Sequence, residues 1–180
     1  MKLKSKCFIG LGGAGRNALV SFIEKEENAE FFLFDTESTC EDDLILEYEG
    51  KYSEQIVDLE NLDAITNQFS KDKSYVLLAS LSYSEFRKKA STALVKHIAS
   101  YFSKNNYDFK IVLTTPVIFE YNAEHHLIIN EIKLEIESLG DTIIVNLDEY
   151  LKKYGDFGLS YFAKFHYIAW KHNINKFKSN

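Results

Sequence analysis

Residues 8–19 read FIGLGGAGRNAL: an apolar run opens into glycines at 10, 12, 13 and 15, with Ala14 among them and Arg16 and Asn17 behind. Glycine lets a backbone approach a phosphate with no Cβ in the way. A helix starting there adds free N–H groups and the positive end of its dipole. The spacing Gly10-x-Gly12-x-x-Gly15 matches the dinucleotide fingerprint, and Asp35 follows 20 residues beyond Gly15, where an acid takes the ribose hydroxyls. The stretch reads as a phosphate loop. Its own residues leave three owners open: the pyrophosphate of NAD or FAD, the phosphates of another nucleotide, or a tight strand–helix turn that binds nothing.

The other reactive side chains form weaker patterns. Glu124, His125 and His126 are adjacent, so on a helix they point about 100° apart and cannot chelate together; metal-binding helices use i and i+4. They read as a polar helix start. His97 falls on the apolar stripe of its helix and reads as a core histidine with its ring satisfied, while His166 and His172 fall on different faces. Cys7 sits in an apolar strand and reads as a buried thiol. With Cys40 it makes no disulfide or metal spacing, and nothing places either thiol beside a base. Arg87, Lys88 and Lys89 would suit a phosphate, but such a run more often makes a solvated helix face.

The elements that must position the loop follow from hydrophobic patterning. Apolar runs predict strands at Lys6–Ile9, Glu30–Phe34, Tyr75–Leu78, Phe109–Leu113 and Thr142–Val145, with a short one around Leu44–Tyr48. Three- and four-residue periodicity predicts helices over about Arg16–Lys25, 85–103, Leu127–Leu139 (with Ile128, Ile132, Ile136 and Leu139 on its stripe and Gly140 as its stop) and Leu159–Ile174, and a weaker one around Leu59–Phe69. Runs such as YVLL and TIIV are apolar throughout rather than alternating, as strands buried on both faces are. Strands and helices in turn give a three-layer, doubly wound, mostly parallel α/β sheet of Rossmann type.

Bulk properties narrow the class. The 180 residues suggest one domain, 46% are apolar, and the formal charge is −6. Lys and Arg are scattered among Asp and Glu, which argues against a nucleic-acid binder. No apolar run is long enough for a membrane span. The basic residues before the first strand are followed by an apolar run broken at Gly10, too short for a secretory signal. The expected location is cytoplasmic.

Downstream segments separate the owners. GLGGAGRNAL resembles the first phosphate loop of the tubulin/FtsZ family, and Asp35-Thr36-Glu37 is similar to that family's Asn-Thr-Asp. LTTPVIFE at 113–120 resembles the family's VTRPFTFEG segment through Pro116, Phe119 and Glu120, and DTIIVNLDEYL at 141–151 resembles DTLIVIPNDRLL. The resemblance spans nearly the whole chain in order and implies the family's nucleotide-binding domain. It implies that Gly10, Gly12, Gly13, Ala14 and Gly15 line the phosphates, that Asn17 contacts guanine, and that Glu120 lies near the ribose. Asp148 aligns with a guanine-contacting Asn, and Asp35 and Glu37 fall where metal-bound phosphate would sit. The implied cofactors are GTP or GDP, with Mg²⁺.

Three departures qualify what the resemblance implies. The family's GGGTGTG loop after the third core strand is replaced by Ala79-Ser80-Leu81-Ser82-Tyr83-Ser84-Glu85, which has no glycine; Ser80 and Ser82 offer hydroxyls, but side chains there hinder close backbone approach. The family's guanine-binding Asp on the last helix aligns with Ser160, among the aromatics Tyr161, Phe162 and Phe165. The family's second domain has no counterpart in residues 1–180, and with it goes the composite hydrolytic site. The sequence thus reads as a single, divergent FtsZ-like domain. Its GTP or GDP affinity is weakened or lost, and it acts through protein contacts with a full-length relative or itself, in cell division or filament regulation. Two alternatives stay open: a GTP-binding protein with weak or partner-dependent GTPase activity, and a Rossmann-type NAD(P)/FAD oxidoreductase.

Overall fold

The computed structural model describes residues 4–36, 45, 47–81, 89–117, 122–154 and 159–173. In chain order the elements are β1 (Ser5–Leu11), α1 (Gly12–Ile23), β2 (Ala29–Asp35), β3 (Ser53–Ile56), a 3₁₀ helix (Leu62–Gln68), β4 (Lys73–Ser80), α2 (Lys89–Lys104), β5 (Asp108–Thr115), α3 (Ala123–Glu137), β6 (Thr142–Asn146), α4 (Leu147–Tyr154) and α5 (Leu159–Asn173). The strands form one sheet in the order β3-β2-β1-β4-β5-β6, and every pairing is parallel.

Period-two alternation splits each apolar strand between two cores. Cys7, Ile9 and Leu11 of β1 and Tyr75, Leu77 and Ala79 of β4 join Leu94, Ile98 and Phe102 of α2 and Ile129 and Ile136 of α3 on one face. Phe8 of β1 and Val76 and Leu78 of β4 join Leu19 and Phe22 of α1 and Phe165 and Trp170 of α5 on the other. Both faces of the central strands are therefore covered, which is why YVLL carries no polar residue. Each large side chain so buried contributes about 1.5–3 kcal/mol.

Several local expectations are corrected. Helix α1 begins at Gly12, four residues before the expected start, so the glycines form its first turn rather than a loop ahead of it. No strand forms at the described positions of 44–48: Glu47–Gly50 is turn, and the third strand is Ser53–Ile56. SEQI is polar and lies at a sheet edge, so it carries no apolar signature. The helix expected over Leu59–Phe69 is a 3₁₀ helix. Helix α4 follows β6 without a break and was not anticipated. Helix α3 buries Ile129 and Ile136 and leaves Ile128 and Ile132 half-buried, a small rotation of the expected stripe. It ends at Glu137. A Cβ at Gly140 would fall 2.5 Å from the far end of the Phe109 ring, which would have to shift to admit it. His97 is not enclosed in the core: its side chain is about a quarter exposed and faces Asp63 at 3.4 Å.

Candidate functional site

The order of strands reverses at β1, which lies between β2 and β4. Ligands of open parallel sheets bind beyond the carboxyl ends of the strands at such a point. The sequence-predicted residues that are described converge on this edge. Gly10 to Gly15 span the end of β1 and the start of α1, and Asp35 ends β2. Ser80 ends β4, Pro116 follows β5, and Asp148 opens α4 after β6. Asn17 lies half-buried one turn further into α1. Glu37, Ser82, Glu120 and the Arg87–Lys88 pair lie outside the described residues. Strand β6 stands three strands from β1, roughly 14 Å at ordinary spacing, so these residues span an edge as long as a nucleotide.

The glycines divide by what surrounds them. A Cβ on Gly15 would stand 2.4 Å from the carbonyl oxygen of Leu78, and one on Gly10 2.7 Å from the carbonyl oxygen of Gly15. These two residues let α1 press onto β1 and β4, the third-glycine role of the fingerprint. Gly12 has φ +68°, and a Cβ there would stand 3.0 Å from the Cβ of Ser91 in α2. Gly13 has nothing within 4 Å of its Cβ position and is exposed. Helix α1 has Leu11 as N-cap, with no side-chain cap and no acid in its first turn. Its N-terminus thus has no side-chain cap, with the Cβ side of Gly12 covered by Ser91 and that of Gly13 open.

The flanking polar groups are already engaged. Ser91 is buried, and its Oγ accepts the backbone N–H of Ser80 at 3.0 Å. The Ser80 hydroxyl donates to the Leu81 carbonyl at 3.3 Å. Asp35 is only 4% exposed; one oxygen is ion-paired with Arg16, and the other accepts the Thr36 N–H at 2.7 Å. The acid expected to face a ribose is therefore tied to the helix beside it. Asp148 lies in the first turn of α4, where a carboxylate suits the helix dipole, and its N–H donates to Asn146 Oδ1 at 3.0 Å. Pro116 is buried with Val117. His166 of α5 is buried, with Nε2 3.1 Å from the Ala79 carbonyl oxygen, which fastens α5 to the end of β4.

Sequence reasoning missed Arg16 and Ser91. The position of Arg16, directly behind the last loop glycine, was a usable signal, since both it and Asp35 had to lie at the same sheet edge. Nothing in the sequence marked Ser91. Among the described residues, the space beside Gly13 at the uncapped start of α1 is open. His125 and His126 sit in the first turn of α3, where Asn122 Oδ1 accepts the His125 N–H at 2.9 Å. Among the described residues no three His, Cys, Asp or Glu side chains come close enough to share a metal. None of the described helices is long and apolar enough to cross a membrane.

No family model and no curated protein matches the chain in sequence. Its fold does match solved structures. An empty FtsZ dimer from M. jannaschii superposes with a TM-score of 0.69 at 14% identity, over 98% of this chain and 54% of that one. The PhuZ201 filament structure follows with 0.60 at 13%, over 94% and 63%. The Bordetella bronchiseptica enzyme WbmG in complex with NAD gives 0.50 at 12%, over 81% and 53%. The fold is therefore the Rossmann-like α/β fold of the FtsZ and PhuZ structures, and the chain spans 54% to 63% of their lengths. The strand order 3-2-1-4-5-6 is also that of dinucleotide-binding enzymes, so topology alone leaves the ligand undecided.

Proposed function

We propose that this protein is a divergent relative of the tubulin/FtsZ family whose nucleotide site has been given over to internal packing and which works through protein contacts, with a full-length relative or with itself. The observation that carries the reading is the contact of Ser91 with Gly12: the bare face of a loop glycine is filled by α2. The Arg16–Asp35 ion pair supports it, since it engages the acid that a ribose or a metal-bound phosphate would need. So does the lack of glycine in residues 79–85. The setting would be filament regulation or cell division in the cytoplasm, with residues 1–180 acting as one domain.

The open Gly13 end of α1 favours a second reading, a protein that binds GTP or GDP weakly and hydrolyses it slowly or only with a partner. Calorimetric titration with GTP, GDP and NAD, with and without Mg²⁺, separates the readings. The expected result is no micromolar binding of any of the three. Micromolar GTP binding would replace the first reading with the second, and binding of NAD alone would favour the Rossmann oxidoreductase. Sedimentation of the isolated chain with GTP is expected to give no polymer.

A further inference from the structure

We infer that the outer face of α3 is a docking surface for a basic, amphipathic helix of a partner protein. The inference rests on the protein-contact half of the reading above and names the surface.

Helix α3 is held to the molecule by Ile129 and Ile136. On its opposite side Leu127 is 66% and Leu134 63% exposed, the two most exposed large apolar side chains among the described residues. They do not stand singly, as ordinary surface leucines do. Glu124, Leu127, Glu131 and Leu134 follow at steps of three, four and three, which places all four on one stripe. All four are exposed. Glu124 and Glu131 make no ion pair among the described residues, nor does Glu137 at the far end. Glu135, just off the stripe, pairs with Lys96 of α2 at 2.6 Å.

The stripe alternates acid and leucine in a helical seam, and its charge selects the occupant. A second copy fits poorly. Parallel pairing with Leu127 on Leu127 sets Glu124 and Glu131 against their own copies. Antiparallel pairing with Leu127 on Leu134 sets Glu124 against Glu137 twice. Like charges so placed are destabilising. A helix with leucine-type anchors seven residues apart and lysine or arginine between them meets every position with an attractive neighbour. It buries both leucines and neutralises both free carboxylates.

The test uses fluorescence anisotropy with a labelled synthetic helix about 20 residues long, enough to hold helical structure, carrying leucines seven apart and lysines at the interleaved positions. A matched peptide has glutamate for lysine. The lysine peptide is expected to bind, with an affinity that falls as salt rises, and the glutamate peptide to bind at least about tenfold more weakly. In the Leu127→Ser/Leu134→Ser protein the lysine peptide should bind about tenfold more weakly, as on loss of interface anchors. That protein should unfold at nearly the wild-type urea midpoint because both leucines are exposed. A Glu124→Gln/Glu131→Gln protein should bind with a flatter salt dependence. Equal binding of the two peptides, binding indifferent to the leucines, or no binding of the lysine peptide overturns the inference. So does a dimer in velocity sedimentation that the serine protein abolishes, since the occupant is then a second copy. Nucleotide binding in the calorimeter would remove the earlier reading yet leave these outcomes untouched.

Discussion

Ser91 of α2 stands against Gly12 of α1: its Cβ lies 3.0 Å from the position a Gly12 Cβ would take, and Gly12 holds φ +68°. Gly12→Ala is therefore opposed twice, by the left-handed backbone and by Ser91. The backbone term alone is about 1–2 kcal/mol. Urea unfolding should show at least that loss, and Ser91→Gly should not restore it, because the Ser91 backbone N and Cα also lie 3.0 and 3.1 Å from that position and the Ser80 N–H would lose its acceptor. An unchanged midpoint for Gly12→Ala would mean that α1 and α2 do not meet in this way.

The next residue should respond with the opposite sign. Gly13 is helical and open, so Gly13→Ala restrains the unfolded chain and meets nothing in the folded one. A gain of about 0.5–1 kcal/mol is expected. A loss of that size in the same urea experiment would contradict the open Gly13 end of the helix.

The Arg16–Asp35 pair is expected to be strongly coupled. Both side chains are largely buried, and removing one partner strands the other charge, at about 3–5 kcal/mol for a fully buried pair and less here. Asp35→Leu and Arg16→Met should each destabilise, and the double variant should lose clearly less than their sum. Additive losses in this double-mutant cycle would show that the pair does not hold β2 to α1.

What the sequence disclosed follows from what patterning can carry. The continuously apolar run at 75–78 announced a strand covered on both faces, and the glycines announced a strand–helix junction at the sheet edge. The run at 142–145 is instead the edge strand β6, with Ile143 and Val145 buried and Thr142 and Ile144 half-buried. β3 stayed hidden because SEQI is polar and its pairing with β2 is purely backbone. The start of α1 was placed late because glycine is a poor helix former, yet here tertiary packing through Gly10 and Gly15 requires it in the first turn. The residue types singled out in the sequence and described in the structure lie at the carboxyl ends of the strands. Which groups would be spent on each other, Asp35 on Arg16 and Ser91 on Ser80, depends on how consecutive elements pack, a strand against the helix beside it, which residue patterning does not carry.

Cys7 should be chemically silent in the native protein. Burial pushes its thiol up to about 12, with Glu30 adding to the rise and Lys73 opposing it. The thiolate is the reactive form. In a Cys40→Ser background at pH 8, a thiol reagent should label Cys7 only as fast as the protein unfolds, and rapidly in urea. Fast labelling without denaturant would show that β1 is accessible.

Acid should weaken the link that the turn between α1 and β2 makes to β1 and α5 through Glu26. Burial alone would raise its carboxyl, but hydrogen bonds from Lys171 and Lys6 outweigh this and hold it below its ordinary 4.5. The Lys171 and Lys6 nitrogens lie 3.0 and 3.2 Å away. A carboxyl depressed by folding stabilises the native state fully above its unfolded value and loses that contribution as pH falls through its folded one. Because both lysines are nearly half exposed, the contribution is at most about 1 kcal/mol. Glu26→Gln should therefore lower stability by that amount at pH 7. It should leave the two proteins converging as pH drops below about 4.5, measured as urea midpoints across the acid limb. Parallel curves that never converge would show that the Glu26 charge does not contribute to holding that turn to β1 and α5.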